Sequence, residues 1–428
     1  MLNSYFVGIG SNVDPARNVA LALEELVARF GPVDLSRIIR TTPVGPMSGM
    51  FLNAVAFFRS DLQPDRVKEV FCGMEEALGR DRSDPGRGLR DRTLDLDILL
   101  ALPTGGNTVA AADVPAESYY RSSALELLHV LGFECAVPPG RVSEAVEVPF
   151  RERHIGPEPT RLLPGERMVV RRAALVTGGA VRVGKAMATT LARAGYDIAL
   201  HFNASRTAAE QTANELRALG VRCELFCADL SLVEQLPRVL DDVLAVFPHL
   251  ELLLNSASVY DSGCIAETTS EMLDRQWCVN FKAPFLLMKE FHNKLARGTI
   301  VNILDNKIAF NQFHYAAYLS SKKALAEATK MAALEFSPRF RVNGIAPGVI
   351  LPASVRDRAY LEWRKEGIPV RRLGDPAQVC QALQALIAND FVNGQILFVD
   401  GGEAMSLIGR NAPLYAAELA PSMAVAAE

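Results

Sequence analysis

The chain has 428 residues, 49% of them hydrophobic, and its 45 Lys and Arg against 49 Asp and Glu give a formal net charge of −4. That length holds two or three domains, and the slight acidity leaves no basic footprint for a nucleic acid, so local arginine clusters read as phosphate partners. No apolar run reaches about 18 residues and no basic stretch leads into an apolar one at the start, so the chain is expected to be cytoplasmic and soluble, with no membrane partner.

Residues 5–12, Tyr-Phe-Val-Gly-Ile-Gly-Ser-Asn, read as a strand running into a turn. Residues 15–30 read as a helix, with Val19, Leu21, Leu23, Leu26 and Val27 at helical spacing and Gly31 as its stop. In Arg90-Asp-Arg92-Thr-Leu-Asp95-Leu-Asp97-Ile-Leu-Leu, strand alternation puts Asp95 and Asp97 on one face and turns Leu94, Leu96 and Ile98 to the core. Two carboxylates on one face, with Arg82, Arg87, Arg90 and Arg92 upstream, suit Mg²⁺ and a polyphosphate. An exposed strand balanced by salt bridges fits the pair alone equally well. Residues 151–170, charged and holding Pro157, Pro159 and Pro164, read as an extended linker.

From Ala173 the run Ala-Ala-Leu-Val-Thr-Gly-Gly-Ala-Val-Arg-Val-Gly-Lys reads as a buried strand, a glycine turn from Gly178 through Gly184, and a helix ending near Gly195. Such a turn lets the backbone approach a pyrophosphate at a helix N-terminus. The next strand, 197–203, continues into Ser205 and Arg206 with no acid until Glu210, so Arg182, Ser205 and Arg206 can hold a 2'-phosphate and NADPH is favoured over NADH. Asp229-Leu230 follows one strand and Asn255-Ser-Ala-Ser258 another, and then come Asn280, Asn302-Ile-Leu-Asp305, Tyr318-Leu-Ser-Ser-Lys322 and Pro347-Gly348. Tyr318 and Lys322 share a helix face, so the lysine charge is expected to lower the phenol's pKa and make Tyr318 a proton donor. Asp305 either hydrogen-bonds the substrate or merely caps the following loop. The seven cysteines contain no Cys-x-x-Cys and read as buried or reduced thiols. His129, His201, His249, His292 and His314 have no spacing that assigns them a role.

Residues 1–150 resemble 6-hydroxymethyl-7,8-dihydropterin pyrophosphokinases through Gly8-Ile-Gly-Ser-Asn12, Arg40-Thr-Thr42-Pro43-Val-Gly-Pro46, Phe51-Leu-Asn53-Ala and Arg92-Thr-Leu-Asp95-Leu-Asp97. The resemblance implies an α+β ferredoxin-like fold, with Asp95 and Asp97 binding two Mg²⁺ across the phosphates of ATP. It places Arg82 and Arg92 near the transferring group, and Thr42, Pro43 and Asn53 around the pterin. Two positions depart from the family pattern: Val114-Pro115-Ala116 lacks the family's His, and Leu89 stands where a Trp usually covers the pterin.

Residues 171–403 resemble short-chain dehydrogenases/reductases, and within them the pteridine and dihydromonapterin reductases. Asp305 replaces the usual Ser, Arg182 replaces the middle Gly of the fingerprint, and Ser258 and Tyr260 stand where those enzymes place a Ser near the cofactor and an aromatic against the pterin. The resemblance implies an α/β Rossmann domain over 171–410, followed by a tail over 411–428. Its catalytic group would be Asp305, Tyr318, Lys322 and Asn280. Its cofactor residues would be Gly178, Arg182, Gly184, Ser205, Arg206, Asp229, Leu230, Asn255, Ser258, Pro347 and Gly348, and a homo-oligomer, dimer or tetramer, would form through this half.

The sequence thus reads as a bifunctional pterin or folate enzyme, a pyrophosphokinase joined to an NADPH-dependent pteridine reductase. Two alternatives stay open. The reductase can act on another carbonyl substrate, and the first module can be a non-catalytic pterin-binding or assembly domain.

Overall fold

The computed structural model describes residues 2–43, 49–80, 91–103, 105–140, 142, 145–165, 168–351, 357–406, 410 and 414–416. The chain divides into two compact units, Met1–Arg172 with Leu244–His249, and Ala173–Val243 with Leu250–Glu428.

The first unit begins with β1 (Asn3–Ser11), α1 (Pro15–Phe30), β2 (Val33–Leu35), β3 (Ile39–Thr41), β4 (Phe51–Ser60), α2 (Pro64–Ala77) and β5 (Asp95–Leu102). The helix α1 has the predicted bounds for clear physical reasons. Pro15 lies in its first turn, where no N–H is needed, and Gly31 takes φ 78 after its last residue. Its stripe of Val19, Ala22, Leu23, Leu26 and Val27 is buried in a core shared with Tyr5, Val7, Phe58 and Phe71. Strand β1 runs antiparallel between β4 and β5. Then come β6 (Thr108–Val109), α3 (Ser118–Leu131), β7 (Glu134–Cys135) and β8 (Val148–Phe150).

Residues 151–170 are not a linker. They form β9 (Arg153–Ile155), paired with β8, then β10 (Thr160–Leu162) and β11 (Met168–Val170), which extend the main sheet in the order β11-β10-β2-β4-β1-β5. Pro157, Pro159 and Pro164 fall between these strands, where a missing N–H costs no ladder bond. Ile155 and Leu162 bury fully, and Asp34 of β2 pairs with Arg171 at 3.1 Å. The first unit therefore runs past residue 150.

The second unit comprises β12 (Arg172–Thr177), α4 (Arg182–Arg193), β13 (Tyr196–Phe202), α5 (Arg206–Arg217), β14 (Cys223–Cys227), α6 (Leu236–Val246), β15 (Leu250–Asn255), α7 (Ser270–Trp277) and α8 (Ala283–Lys294). It continues with β16 (Gly298–Ile303), α9 (Ala316–Glu335), β17 (Phe340–Pro347), α10 (Arg358–Glu366), α11 (Pro376–Ala388), β18 (Ile396–Val399) and α12 (Glu403–Ser406). The sheet order is β14-β13-β12-β15-β16-β17-β18, with parallel pairing at β13–β14 and throughout β15–β18. Its strands read as near-continuous apolar runs because helices cover both faces. The order reverses between β12 and β15, and ligands of such sheets bind at that point, beyond the carboxyl ends of the strands.

Candidate active sites

In the first unit the site is built on β5 and its neighbours. Asp95 and Asp97 face Gly10 and Gly8 of β1 across the ladder. Neither glycine has room for a side chain: a Cβ on Gly8 would meet the Tyr120 ring at 2.6 Å, and one on Gly10 would meet Asn53 Oδ1 at 2.9 Å. The two carboxylates share a strand face but not an environment. Asp95 is buried and accepts from the guanidinium groups of Arg80 and Arg92, whereas Asp97 is exposed. Partial desolvation, then the charges of Asp95 and Glu75, push the Asp97 carboxyl above its ordinary range. Ser11 Oγ donates to Thr93 O at 2.6 Å and Asn12 Oδ1 accepts from Arg92 N at 2.6 Å, so the Gly-Ser-Asn turn holds the segment that carries Arg92.

Asn53 is buried on β4 and donates to Thr41 Oγ1 at 2.6 Å, while Thr42 is exposed and Pro43 half-buried beside it. Ala116 is exposed. Arg82, Arg87, Leu89 and Arg90 lie outside the described residues. Three groups escaped the sequence reading. Glu75 is fully buried, accepts from Leu96 N at 2.8 Å and pairs with Arg80 at 2.8 Å, and Tyr120 fills the space left by the two glycines. Their signal, a Glu on an amphipathic helix and a Tyr at a helix start, is too common to single out.

In the second unit the glycine turn follows β12. A Cβ on Gly178 would meet Ala257 Cα at 2.8 Å and one on Gly184 would meet Gly178 O at 2.2 Å. Arg182 lies between them in the left-handed region, φ 54, which a glycine adopts freely and an arginine does not, and it donates to Leu351 O. His201 braces the turn: its Nδ1 accepts from Gly178 N at 3.2 Å, so the bond of 3.1 Å to Ala228 O is donated by Nε2. Burial pushes this imidazole down to about 4 and keeps it neutral.

Ser205 and Arg206 stand exposed past β13, with Arg206 over the Phe202 ring at 5.5 Å and 3.7 Å from Glu210. Asp229 takes bonds from Ser231 N and Oγ, which hold its carboxyl below the usual range, and Leu230 is buried. Thr177, Leu230, Asn255, Asn280 and Lys322 line one cleft. A wider groove between α4 and α11 carries Arg182, Lys185 and Arg193 but none of the proton-transfer side chains. Gly348 donates its N–H to Val399 O at 3.0 Å just after Pro347, and a Cβ there would meet Asp400 at 2.9 Å.

Asn280 occupies a π-helical turn, Cys278–Lys282, between α7 and α8, the kind of insertion that re-aims a side chain. Its Oδ1 accepts from Ser258 Oγ and Val259 N, both at 3.0 Å, and its Nδ2 donates to Val259 O at 2.9 Å. The loop bearing Ser258 and Tyr260 is thereby pinned.

Asp305 does two things at once. Its Oδ1 accepts from Lys307 N at 2.8 Å, capping the short 3₁₀ turn Asn306–Ala309, and its Oδ2 accepts from the Tyr318 hydroxyl at 2.9 Å. The phenol of Tyr318 shifts opposite to the expectation drawn from Lys322. Burial, and then the charge and hydrogen bond of Asp305, raise the phenol's pKa well above 10. The carboxylate touches the hydroxyl, while Lys322 Nζ turns to Ile303 O at 2.7 Å and stays 5.9 Å from the ring centre. Burial lowers Lys322 to about 8.

Tyr260 is exposed as a residue, and its ring stacks on Tyr315 at 4.4 Å and meets Tyr318 edge-on at 4.6 Å. Lys307 Nζ donates to Tyr260 Oη at 3.3 Å and lies 5.2 Å over Tyr315. Tyr315 is held at φ 59, a left-handed conformation that a tyrosine rarely adopts. Tyr315 and Lys307 also escaped the sequence reading, although Tyr315 lies one turn before Tyr318 on the same helix face.

The profile of a family described as enoyl-(acyl carrier protein) reductase matches residues 179–403, and one described as 7,8-dihydro-6-hydroxymethylpterin-pyrophosphokinase matches residues 6–130. An uncharacterised oxidoreductase of Mycobacterium tuberculosis is 32% identical over 249 residues, spanning 54% of this chain and 91% of its own length. A short-chain dehydrogenase/reductase of Cryptosporiopsis is 29% identical over 252 residues, 54% of this chain and 96% of its own. Crystal structures of FolM alternative dihydrofolate reductase 1 from Brucella suis and Brucella canis, both with NADP, superpose with TM-score 0.52 at 30% identity, covering 56% and 57% of this chain and 97% and 96% of theirs.

Proposed function

The chain belongs to the enoyl-(acyl carrier protein) reductase family and carries a pyrophosphokinase domain ahead of its reductase domain, and on that premise we propose that it is a bifunctional pterin and folate enzyme of the pteridine reductase type. Its second half reduces a dihydropterin or dihydrofolate with NADPH. Its first half transfers pyrophosphate from ATP to 6-hydroxymethyl-7,8-dihydropterin. The observation that carries the reductase reading is the Asp305 carboxylate on the Tyr318 hydroxyl. The likeness to NADP-bound FolM dihydrofolate reductases supports the same substrate class.

Reduction of a C=N bond needs hydride at carbon and a proton at nitrogen. NADPH supplies the hydride. The residues present fit such a cofactor: Gly178 and Gly184 leave a cradle that a side chain would fill, Asn255 Oδ1 is buried without a partner, and Arg206 stands exposed past β13 where a 2'-phosphate would lie, while Arg182 is turned to Leu351 O. Tyr318, kept protonated by its surroundings, is the acid at the cofactor's edge. Asp305 orients that hydroxyl and offers an acceptor to the amino and N–H edge of a pterin. Tyr260, backed by Tyr315, supplies the stacking face.

In the first half the order β2-β4-β1-β5, crossed by α1 and α2, supports the ferredoxin-like reading. Asp95 and Asp97 are the pair of hard-oxygen carboxylates that would meet Mg²⁺ shared with phosphates, and partial desolvation, then the charges of Asp95 and Glu75, raise the Asp97 carboxyl. Mg²⁺ would neutralise and align the phosphates of ATP. Arg92 and Arg80 then hold Asp95 in register, and Asn53, Thr42 and Pro43 wall the pterin. Ala116, where an imidazole is absent, favours one second reading of this half, pterin binding without transfer.

The test is direct. The purified chain is incubated with NADPH and a panel of dihydropterins and dihydrofolate, then with ATP, Mg²⁺ and 6-hydroxymethyl-7,8-dihydropterin. Absence of NADPH consumption across the panel rejects the pterin reductase. Pterin binding without AMP release assigns the first half to binding alone.

A further inference from the structure

The reacting pair has a neighbour that the chemistry above does not use. Asn306 follows Asp305, and its side chain is buried, 2% exposed, with its Nδ2 donating to Glu403 Oε2 at 2.9 Å and Asp400 Oδ2 at 3.3 Å. Glu403, at the start of α12 and 1% exposed, takes a two-pronged bond from Arg364 of α10 at 2.7 and 3.2 Å, and Arg364 is 2% exposed. Asp400 is fixed in turn by Gly402 N at 2.9 Å and Ala404 N at 2.7 Å. Three elements distant in sequence, the turn that follows β16 at 305–306, α10 and α12, thus meet in one sealed polar cluster.

Burial of such an ion pair is a poor way to gain stability, because desolvating both charges offsets their attraction and an apolar pair of similar size often serves as well. What the cluster supplies is direction. The backbone at Asp305 is extended, φ −151 and ψ 144, so consecutive side chains leave it on opposite sides. With the Asn306 amide locked into Glu403, the Asp305 carboxyl is directed to the other side, where Lys307 N and the Tyr318 hydroxyl meet it.

We propose that Glu403, together with Arg364, is a positioning residue of the reductase: through Asn306 it holds the Asp305 carboxylate against the Tyr318 hydroxyl. The inference rests on the reading of Asp305 and Tyr318 as the proton-delivering pair. The charged and titratable groups around the Tyr318 phenol are Asp305 at the end of β16, Lys322 one turn along α9, and Tyr260 with Tyr315, over which Lys307 lies. Among these Asp305 makes the contact that, added to burial, keeps the phenol protonated. Once Asn306 is unlocked, Asp305 can rotate away, and the phenol ionises at lower pH.

Glu403→Gln keeps shape but sets an NH₂ against the donors of Arg364 and Asn306. The expected result is a kcat for dihydropterin or dihydrofolate reduction lowered about 10- to 100-fold, a part of what a positioned acid contributes, with KM for NADPH within about 2-fold of the parent. The alkaline limb of the kcat profile should move to lower pH. The double replacement Arg364→Leu/Glu403→Leu removes both charges together, so it should fold with a Tm near the parent's and show the same displaced limb. A spectrophotometric titration of the phenols, parent against Tyr318→Phe, gives the Tyr318 ionisation without any substrate, and Glu403→Gln should bring it to lower pH. If the parent reduces no pterin, the functional reading fails while this titration still decides the clasp. Folded variants with the parent's pH profile and Tyr318 ionisation overturn the proposal, and so does a failure of both variants to fold, which would make the cluster purely structural.

Discussion

At the scale of single residues, protonation is set by what touches a group more than by what lies nearby in sequence. Tyr318 is governed by its burial and then by Asp305 at 2.9 Å, not by Lys322 four residues on, so it stays a loaded acid through the physiological range. Tyr318→Phe should lower kcat about 10²- to 10⁴-fold with NADPH binding retained, as read by steady-state rates and cofactor fluorescence. Asp305→Asn keeps an acceptor for Lys307 N but removes the charge from the phenol, so the alkaline limb of its pH profile should move down. Full pterin turnover in that variant at unchanged pH dependence would reduce Asp305 to a loop cap. His201 makes a second prediction. The unfolded chain protonates this imidazole near 6.5 while the folded one resists until about 4. The unfolded state therefore binds more protons in that window, and stability falls as pH drops through it, by about 2 kcal/mol from pH 7 to pH 5 for this group. Urea unfolding of parent and His201→Gln at the two pH values checks it: the parent should lose more.

At the scale of elements, two glycines of β1 show how a motif is dictated from across the sheet. Gly8→Ala would drive a methyl group into the Tyr120 ring, 2.6 Å away. Overpacking of a filled core costs about 1 to 3 kcal/mol, so this variant should unfold at lower denaturant and lose any AMP release. A parent-like unfolding midpoint would mean that Tyr120 gives way freely. The strand, the helix at 15–30 and the alternation of Asp95 and Asp97 were legible because periodicity and caps report local structure. The Rossmann order and the Asp305, Tyr318 and Lys322 arm were legible because each sits at a strand end or on one helix face. Residues 151–170 were misread because three-residue strands punctuated by prolines have the composition of a linker, and only pairing with β2 makes them sheet. Glu75, Arg80, Tyr120, Lys307 and Tyr315 stayed hidden for a related reason: their partners come from other elements, and a single sequence records no such pairing.

At the scale of the molecule, two candidate sites on one chain need not share a fate. One residue, Arg171, separates β11 of the first unit from β12 of the second, so the two cores are tied at fixed stoichiometry whether or not both are active. The carboxylates of the first site, Asp95 and Asp97, lie on β5, and the reductase groups lie at the strand ends of a different sheet with its own core. Asp97 is the better probe of the first site. It is exposed, whereas Asp95 is buried and pairs with both Arg80 and Arg92, so its removal would disturb the packing of two half-buried guanidinium groups. Asp97→Ala should therefore keep the fold of the first unit, abolish Mg²⁺-dependent AMP release, and leave kcat and KM for NADPH-dependent reduction within about 2-fold of the parent, the range expected of sites that do not couple. Calorimetry with Mg²⁺ and a non-hydrolysable ATP analogue should lose its metal-dependent binding in the same variant. If reduction falls together with AMP release while the fold is intact, the two activities are coupled, and the reason for joining them in one chain is communication between the sites and not stoichiometry alone.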